Sequence, residues 1–180
     1  MICVFDLDNT LIYTVEDAPK NDHNWKCEST KCKTIVRPHA KELIKSMQKL
    51  FKYVGIWSAG SKEYVDGVVE NFFPEISFDF VWNDNHCEHT FEGDPYFTHK
   101  PLYKLWNHLK EGDHTNTIII DDRIVIARRN MGNLILVPSF EGKSCDDKLK
   151  VLKLCIERHF LRLQDVRQFC KYWNKKDELL

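Results

Sequence analysis

Two short apolar runs in this chain end in paired acids: Val4-Phe5-Asp6-Leu7-Asp8 and Ile119-Ile120-Asp121-Asp122. An apolar run this short that stops at acids reads as a buried strand of a parallel sheet, and ligands of such sheets gather outside the carboxyl ends of the strands. If the two strands are neighbours, four carboxylates converge on one crevice. They repel one another unless a cation sits among them, and hard oxygen donors favour Mg2+. Alternation along the extended end of the first run puts Asp6 and Asp8 on one side. One of them can attack as a nucleophile and form an aspartyl phosphate, while the other protonates a leaving oxygen and then activates water. Thr10 can hold the loop by a hydroxyl hydrogen bond. A single acid after a strand is as often a helix cap or turn former; two such pairs in one chain weigh against that reading.

The elements that must position these acids follow from the hydropathy pattern. Tyr53–Trp57, Phe78–Trp82, Thr117–Ile120 and Leu134–Val137 join Ile2–Phe5 as apolar strands. Ala40, Leu43, Ile44, Met47, Leu50 and Phe51 recur at helical spacing, Ser61 can cap a helix running to about Phe72, and Lys100-Pro101 opens a third helix. Asp146 to Asn174 reads as two helices with a break near Leu161–Asp165. Strands alternating with helices predict an α/β protein, a parallel sheet covered on both faces, in one domain over residues 1–180. Two polar stretches interrupt it. Thr14 to Thr34 reads as loop or small hairpin, and Asn83 to Phe97 is an insert rich in His and turn residues. Neither is long enough for a large cap domain, and a shallow open site suits a protein substrate better than a metabolite.

Composition narrows the function classes. The chain has 180 residues, 43% of them apolar, with 26 Lys plus Arg against 27 Asp plus Glu for a net charge of −1. No apolar run reaches the ~18 residues of a membrane span, and near-neutral charge makes nucleic acid an unexpected partner. Acids interrupt the N-terminal segment before a leader's apolar region can form. With seven cysteines, an odd number, the expectation is reduced thiols in an intracellular compartment, nucleus or cytoplasm.

Asp6-Leu7-Asp8-Asn9-Thr10 resembles the DxDxT signature of haloacid-dehalogenase-type (HAD) phosphatases. Ser58 directly after a strand, Lys100 before a helix, and Asp121-Asp122 after a strand match the superfamily's other motifs in order and context. Arg37-Pro38-His39, Ile56-Trp57-Ser58-Ala59 and Ile119-Ile120-Asp121-Asp122-Arg123 resemble the FCP/SCP-type phosphatases that act on the RNA polymerase II C-terminal domain. Within these, Trp57–Ala59, Lys100–Trp106, Asn116–Asp122 and Lys171–Trp173 are most similar to the branch that carries a ubiquitin-like domain. No such segment precedes Ile2, so the sequence reads as a minimal stand-alone enzyme or a piece trimmed from a longer one.

The resemblance implies a HAD-like (Rossmannoid) fold and a Mg2+-dependent protein serine/threonine phosphatase with a phosphoprotein or phosphopeptide substrate. Asp6 is then nucleophile and metal ligand. Asp8 is general acid and base and offers its backbone carbonyl to the metal. Asp122 is the third protein ligand, with Asp121 as its neighbour or alternate. Ser58, by its hydroxyl and backbone N–H, and Lys100 bind the transferring phosphoryl group. The recognition parts depart from the pattern. Asn83-Asp84-Asn85-His86-Cys87 holds no Arg for phosphoserine, and the Thr14–Thr34 stretch lacks an alternating Val/Ile hairpin, with Trp25 its only large aromatic.

Weaker signals remain. Cys27, Cys32, His86, Cys87 and His89 invite a zinc site, but their spacing is loose and surface-loop His and Cys is the favoured reading. The terminal Asp-Glu-Leu-Leu only superficially resembles a retention signal. Arg123, Arg128 and Arg129 attract an acidic phosphopeptide or pair with surface acids, the second being slightly favoured. Two other functions compete with the protein phosphatase: an enzyme acting on polynucleotide ends or small phosphate esters, and a non-catalytic phosphopeptide-binding module. Presence of Asp6, Asp8, Lys100 and Asp122 argues against the module.

Overall fold

In β1 (Ile2–Phe5) every residue is buried, as the run of apolar side chains requires of a strand covered on both faces. The protein, described by a computed structural model over residues 1–16, 26–27, 32–90 and 97–177, then runs through β2 (Ile12–Glu16), β3 (Lys26–Cys27), β4 (Cys32–Val36), α1 (Ala40–Leu50), β5 (Tyr53–Trp57), α2 (Lys62–Phe72) and β6 (Phe80–Trp82). It continues with β7 (Glu88–Thr90), β8 (Phe97–His99), α3 (Leu102–Leu109), β9 (Thr117–Asp121), β10 (Leu134–Leu136), α4 (Lys148–His159) and α5 (Arg167–Asp177). Five strands form a parallel sheet in the order β10-β9-β1-β5-β6.

The central strand is therefore the first in sequence. The chain builds outward from it on one side with β5 and β6, then returns to its other side with β9. The strand order reverses between β1 and β9, where a crevice opens at the carboxyl ends. Side chains alternate across the sheet. Cys3, Phe5, Ile118 and Ile120 share one core with residues of α1, α2, α4 and α5, whereas Ile2, Val4 and Ile119 share the other with α3 and Ile126. Gly55 lies where β5 approaches β6 most closely; a Cβ there would sit 2.5 Å from the Phe80 carbonyl oxygen, which leaves room only for glycine.

The open edge at β10 is covered by α5. The Trp173 indole N–H donates to the Leu136 carbonyl at 2.8 Å, Asn174 Nδ2 donates to the Leu134 carbonyl at 2.8 Å, and the Leu136 N–H donates to Asn174 Oδ1 at 3.0 Å. Side chains thus replace the missing neighbouring strand. The break expected near Leu161–Asp165 lies between α4 and α5, where Phe160–Arg162 form a single tight turn.

The first insert, read as loop or small hairpin, is entered by an antiparallel hairpin, and the second carries more regular structure than its composition predicts. Strand pairing begins at Ile12, before the polar stretch, and β2 and β4 form an antiparallel ladder from Ile12↔Val36 to Glu16↔Cys32. In the second insert β7 and β8 form another antiparallel pair. These strands are short and half-buried, so tertiary pairing rather than hydrophobic alternation defines them. Trp25 and much of the first insert lie outside the described residues.

The fold closes on a buried ion pair. The fully buried Arg37, just after β4, donates from Nε and Nη2 to both carboxylate oxygens of Asp146 at 2.9 and 3.0 Å, and from Nη1 to the Thr10 carbonyl at 3.2 Å. Its guanidinium also lies over the Phe140 ring, 5.3 Å from the centroid. One side chain so ties the loop after β1 to the entry of α4. Removing one partner strands a buried charge, which costs about 3–5 kcal/mol. Asp146→Ala is expected to lose stability on that scale in urea unfolding, and Arg37→Met with Asp146→Leu to lose less; an Asp146→Ala protein as stable as wild type would refute the pair's role.

Candidate active site

The loop after β1 is a tight turn that projects its acids from the sheet. The Leu7 carbonyl accepts from the N–H groups of Thr10, Leu11 and Ile12 at 3.2, 2.8 and 3.0 Å, and Asn9 takes a left-handed conformation with φ 59° to complete the reversal. Asn is among the few residues with a side chain that tolerate that region. Asp6 leaves β1 as its N–H donates to the Ile120 carbonyl at 3.0 Å, so the two acid-tipped strands are pinned side by side. Thr10 acts as the sequence predicted for a loop anchor. Its hydroxyl oxygen accepts from the Asp122 N–H at 3.0 Å.

Three of the four acids converge. Ligand oxygens of Asp6, Asp121 and Asp122 lie within 4.8 Å of one another, and this is the one such group among the described residues. All oxygen and all anionic, this donor set fits a hard divalent cation. Asp8 stands apart from the cluster. Its Oδ1 accepts from the Tyr64 hydroxyl at 2.5 Å, and its Oδ2 lies 3.4 Å from the Ser58 hydroxyl. Within the Asp121-Asp122 pair the partners differ. Asp121 is almost wholly buried, its Oδ2 accepting from Lys100 at 2.8 Å and its Oδ1 from the Arg123 N–H at 2.9 Å. Asp122 is half-buried and retains more freedom to face a ligand.

Lys100 is fully buried, the opposite of a solvated lysine at a helix start. Its ammonium donates to Asp6 Oδ1 at 2.5 Å and to Asp121 Oδ2 at 2.8 Å. The Lys100 N–H donates to the Ile126 carbonyl at 3.0 Å and Asn130 Nδ2 to the Lys100 carbonyl at 2.9 Å, which fixes the backbone ahead of Pro101. Pro101 itself stands at the cap of α3, one position before its expected place.

Ser58, at the end of β5, is also buried, and its hydroxyl accepts from the Gly60 N–H at 3.0 Å. One expectation needs correction. The Ser58 N–H donates to the Trp82 carbonyl at 2.9 Å in the sheet, so it is engaged and not offered to a phosphoryl group. The hydroxyl alone faces the crevice, beside Asp8.

The charges act on one another. Burial, and then the charge of Asp6, push Asp8 and Asp122 above the ordinary carboxylate range. The same causes raise Asp121, against the pull of Lys100. For Lys100, burial opposes the charged form, but Asp121 and Asp6 together outweigh it and hold the ammonium above the usual lysine range. Burial and then the Asp8 charge raise the Tyr64 hydroxyl.

The remaining candidates separate from this centre. Cys87 is buried with its thiol 3.9 Å from the Ser58 carbonyl, His86 stacks on Trp82 at 4.5 Å, and His89 contacts Thr98 and Asp84. The side chains of Cys27 and Cys32 lie outside the described residues. Arg129 pairs with Glu88, and Arg128 lies over the Phe97 ring at 5.3 Å. Sequence reasoning missed Tyr64. Its signal was position: three residues after the cap Ser61, in the first turn of the helix that follows Ser58.

A parallel sheet whose first and fourth strands end in paired acids, with a buried lysine between them, is the HAD-like phosphatase architecture. The chain belongs to the NLI interacting factor-like phosphatase family, whose sequence profile matches residues 1–167. It is 27% identical over 177 residues to the CTD phosphatase-like protein 355R of Invertebrate iridescent virus 3, covering 84% of this chain and 93% of that protein. To the protein of the same name from Invertebrate iridescent virus 6 it is 29% identical over 136 residues, covering 68% and 73%. In structure it is similar to the fission yeast RNA polymerase II CTD phosphatase Fcp1 bound to beryllium fluoride. The TM-score is 0.56 at 19% identity, over 98% of this chain and 55% of that one, so the chain spans about half the length of that relative.

A centre held by one buried ammonium has a measurable signature. Lys100→Met leaves Asp6 and Asp121 uncompensated and is expected to lower stability by about 3–5 kcal/mol in urea unfolding. An unchanged midpoint would show that the carboxylates do not need it.

Proposed function

We propose that this phosphatase is a Mg2+-dependent protein serine/threonine phosphatase that works through an aspartyl phosphate on Asp6. The observation that carries the reading is the division of labour between two acids two residues apart. Asp6 is held by an ammonium, and Asp8 is held by hydroxyls and raised in pKa. A carboxylate fixed beside a cation is positioned to attack; a carboxyl favoured in its neutral form is fit to give a proton.

In the first step an Asp6 carboxylate oxygen bonds to phosphorus as the phosphorus–oxygen bond to the substrate side chain breaks. Asp8 gives its proton to the departing alkoxide. In the second, water attacks the same phosphorus, Asp8 takes a proton from it, and the bond to Asp6 breaks to release inorganic phosphate. Ser58 and Lys100 hold the phosphoryl oxygens, and positioning with charge stabilisation supplies most of the acceleration. Asp6, Asp122 and the Asp8 carbonyl would hold Mg2+, with Asp121 behind them; when bound, the ion neutralises charge on the phosphoryl oxygens. The shared family, and the likeness to Fcp1, an RNA polymerase II CTD phosphatase, and to the viral CTD phosphatase-like proteins, support a phosphoprotein substrate, of which the RNA polymerase II C-terminal domain is the first to test.

The decisive measurement is metal-dependent turnover of phosphorylated heptad-repeat peptides beside an unrelated phosphopeptide, a 3′-phosphorylated oligonucleotide and a sugar phosphate. Preference for the phosphopeptides supports the reading, and equal rates on the two peptides would remove polymerase-tail specificity. Mass spectrometry of quenched enzyme is expected to find the added phosphate on the peptide bearing Asp6; phosphate on Asp8 would overturn the mechanism.

Metal binding offers an independent check. Both Asp121 oxygens already have donors, so Asp122→Ala is expected to weaken Mg2+ binding in titration calorimetry more than Asp121→Ala does, and the reverse order would exchange their roles. The raised carboxyls must lose protons to bind the ion, and a group with a raised folded pKa destabilises the metal-free protein as pH rises through it. The Mg2+-induced rise in Tm is therefore expected to be larger at about pH 7.5 than at about pH 5; an equal rise at both would contradict the assignment.

A further inference from the structure

Backbone geometry where the first insert begins leaves a row of hydrogen-bonding groups without partners. β2 stands at the outside of the three-stranded order β2-β4-β3. Along an antiparallel ladder the residues alternate. One sends its N–H and C=O to the partner strand, and the next sends both away from it. Ile12 fixes the phase. Its N–H donates to the Leu7 carbonyl at 3.0 Å and its carbonyl accepts from the Asn9 N–H at 2.7 Å, the pattern of a parallel bridge to Asp8. Leu11, one residue earlier, turns its carbonyl the other way and accepts from the Arg37 N–H at 2.8 Å. Tyr13 is therefore hydrogen-bonded to Ile35 in β4, and Thr14, opposite Thr34, faces outward as Ile12 does. The 3.1 Å between the two threonine hydroxyl oxygens agrees, because side chains come closest in pairs that exchange no backbone bonds. Among the described residues nothing takes the Thr14 N–H or carbonyl.

The outer edge of β2 is thus filled in part. The loop that carries Asp8 occupies the place beside Ile12, and the next place along, beside Thr14, is open. It adjoins the crevice: the Tyr64 hydroxyl lies 2.5 Å from Asp8 Oδ1 and 3.1 Å from Thr14 Oγ1. An unpaired edge is a template for an extended chain. We propose that the substrate binds by strand addition: the segment next to the phosphoserine lies along the outer edge of β2 and exchanges backbone hydrogen bonds with Thr14. The occupant is the substrate's own chain, because this edge is shared with the loop that carries Asp8. Two residues of β2 span about 7 Å, so the residue held by Thr14 lies about two positions from the phosphoserine. Main-chain pairing reads extension rather than side chains. The enzyme therefore accepts varied sequences provided that the paired residue has an N–H, which excludes proline there. The inference rests on the reading of the crevice as a phosphopeptide site.

N-methylation of a phosphoserine peptide tests it on the wild-type enzyme. The methyl group is placed in turn on each residue from three before to three after the phosphoserine. The N–H groups of an added strand face β2 at every second residue. The value of kcat/KM is expected to fall by about 5-fold or more at alternate residues on one side of the phosphoserine, and by less between them. Equal losses at adjacent residues, or none at any, would overturn strand addition. Two variants test the same edge from the enzyme. Thr14→Pro removes the outward N–H, and edge strands tolerate a proline placed so. Thr14→Val removes the hydroxyl and keeps the N–H. The ratio of kcat/KM for the unmodified peptide to that for p-nitrophenyl phosphate is expected to fall about 5-fold or more in Thr14→Pro and less than about 2-fold in Thr14→Val. Both substrates meet one preparation, so the ratio is independent of how much protein folds. An equal fall in the two variants would assign the effect to the side chain and overturn the backbone role. Wild-type enzyme that hydrolyses p-nitrophenyl phosphate but no phosphopeptide removes the peptide reading and this inference with it, whereas phosphopeptide turnover with a flat scan removes the inference alone.

Discussion

A single buried ammonium, that of Lys100, organises the crevice. Asp6, Asp8, Asp121 and Asp122 occur within a space that water reaches poorly, and carboxylates so placed repel at several times the strength they would in bulk solvent. Lys100 lies between the two that are most buried, one from each neighbouring strand. It offsets one charge of four. Burial, and then the remaining charge excess around Asp6, raises Asp8, Asp121 and Asp122 above the ordinary carboxylate range, and the same excess suits the cluster to a divalent cation. The site is strained electrostatically by construction, and a divalent cation is the partner whose charge would relieve that strain.

The sheet makes this placement possible. Carboxylates on loops would move apart to lower their repulsion. Here Asp6 and Asp121 sit at the ends of β1 and β9, strands whose other residues are entirely buried and hydrogen-bonded in register from Ile2↔Thr117 to Phe5↔Ile120. Separating the acids would mean breaking the central ladder and exposing two cores. Apolar burial of about 1.5–3 kcal/mol per large side chain therefore holds the charges where electrostatics alone would not.

What was legible in the sequence follows from the same division. The central strands, the helices that cover them and the convergence of the paired acids all rest on burial, and burial leaves a hydropathy signal. Lys100 was placed by motif, but nothing in its composition foretold that it would be fully buried; that depends on carboxylates 94 and 21 residues away. Arg37 read as part of a signature and proved to be a tie between the loop after β1 and α4, because its partner Asp146 lies 109 residues on. The hairpin of the first insert was legible only as one of two alternatives, loop or small hairpin, and the strand pair of the second was not read at all, for another reason. Their strands pair at the margin of the molecule, where alternation is weak and polar residues satisfy both faces. The Ser58 N–H, expected in the crevice, is taken up by the sheet at Trp82, a demand of backbone hydrogen bonding that side-chain patterns do not record.

These inserts nevertheless join the chemistry at their bases. The first reaches Asp8 through Thr34, Thr14 and Tyr64. The second ends in β8 at His99, the residue before Lys100, so its last strand delivers the ammonium to the acids. Each root is fixed by pairing in register, from Ile12↔Val36 to Glu16↔Cys32 in the first insert and from Glu88↔His99 to Thr90↔Phe97 in the second. The ends nearest the sheet are the ends tied to Asp8 and Lys100, by hydrogen bonds in the first insert and by backbone continuity in the second.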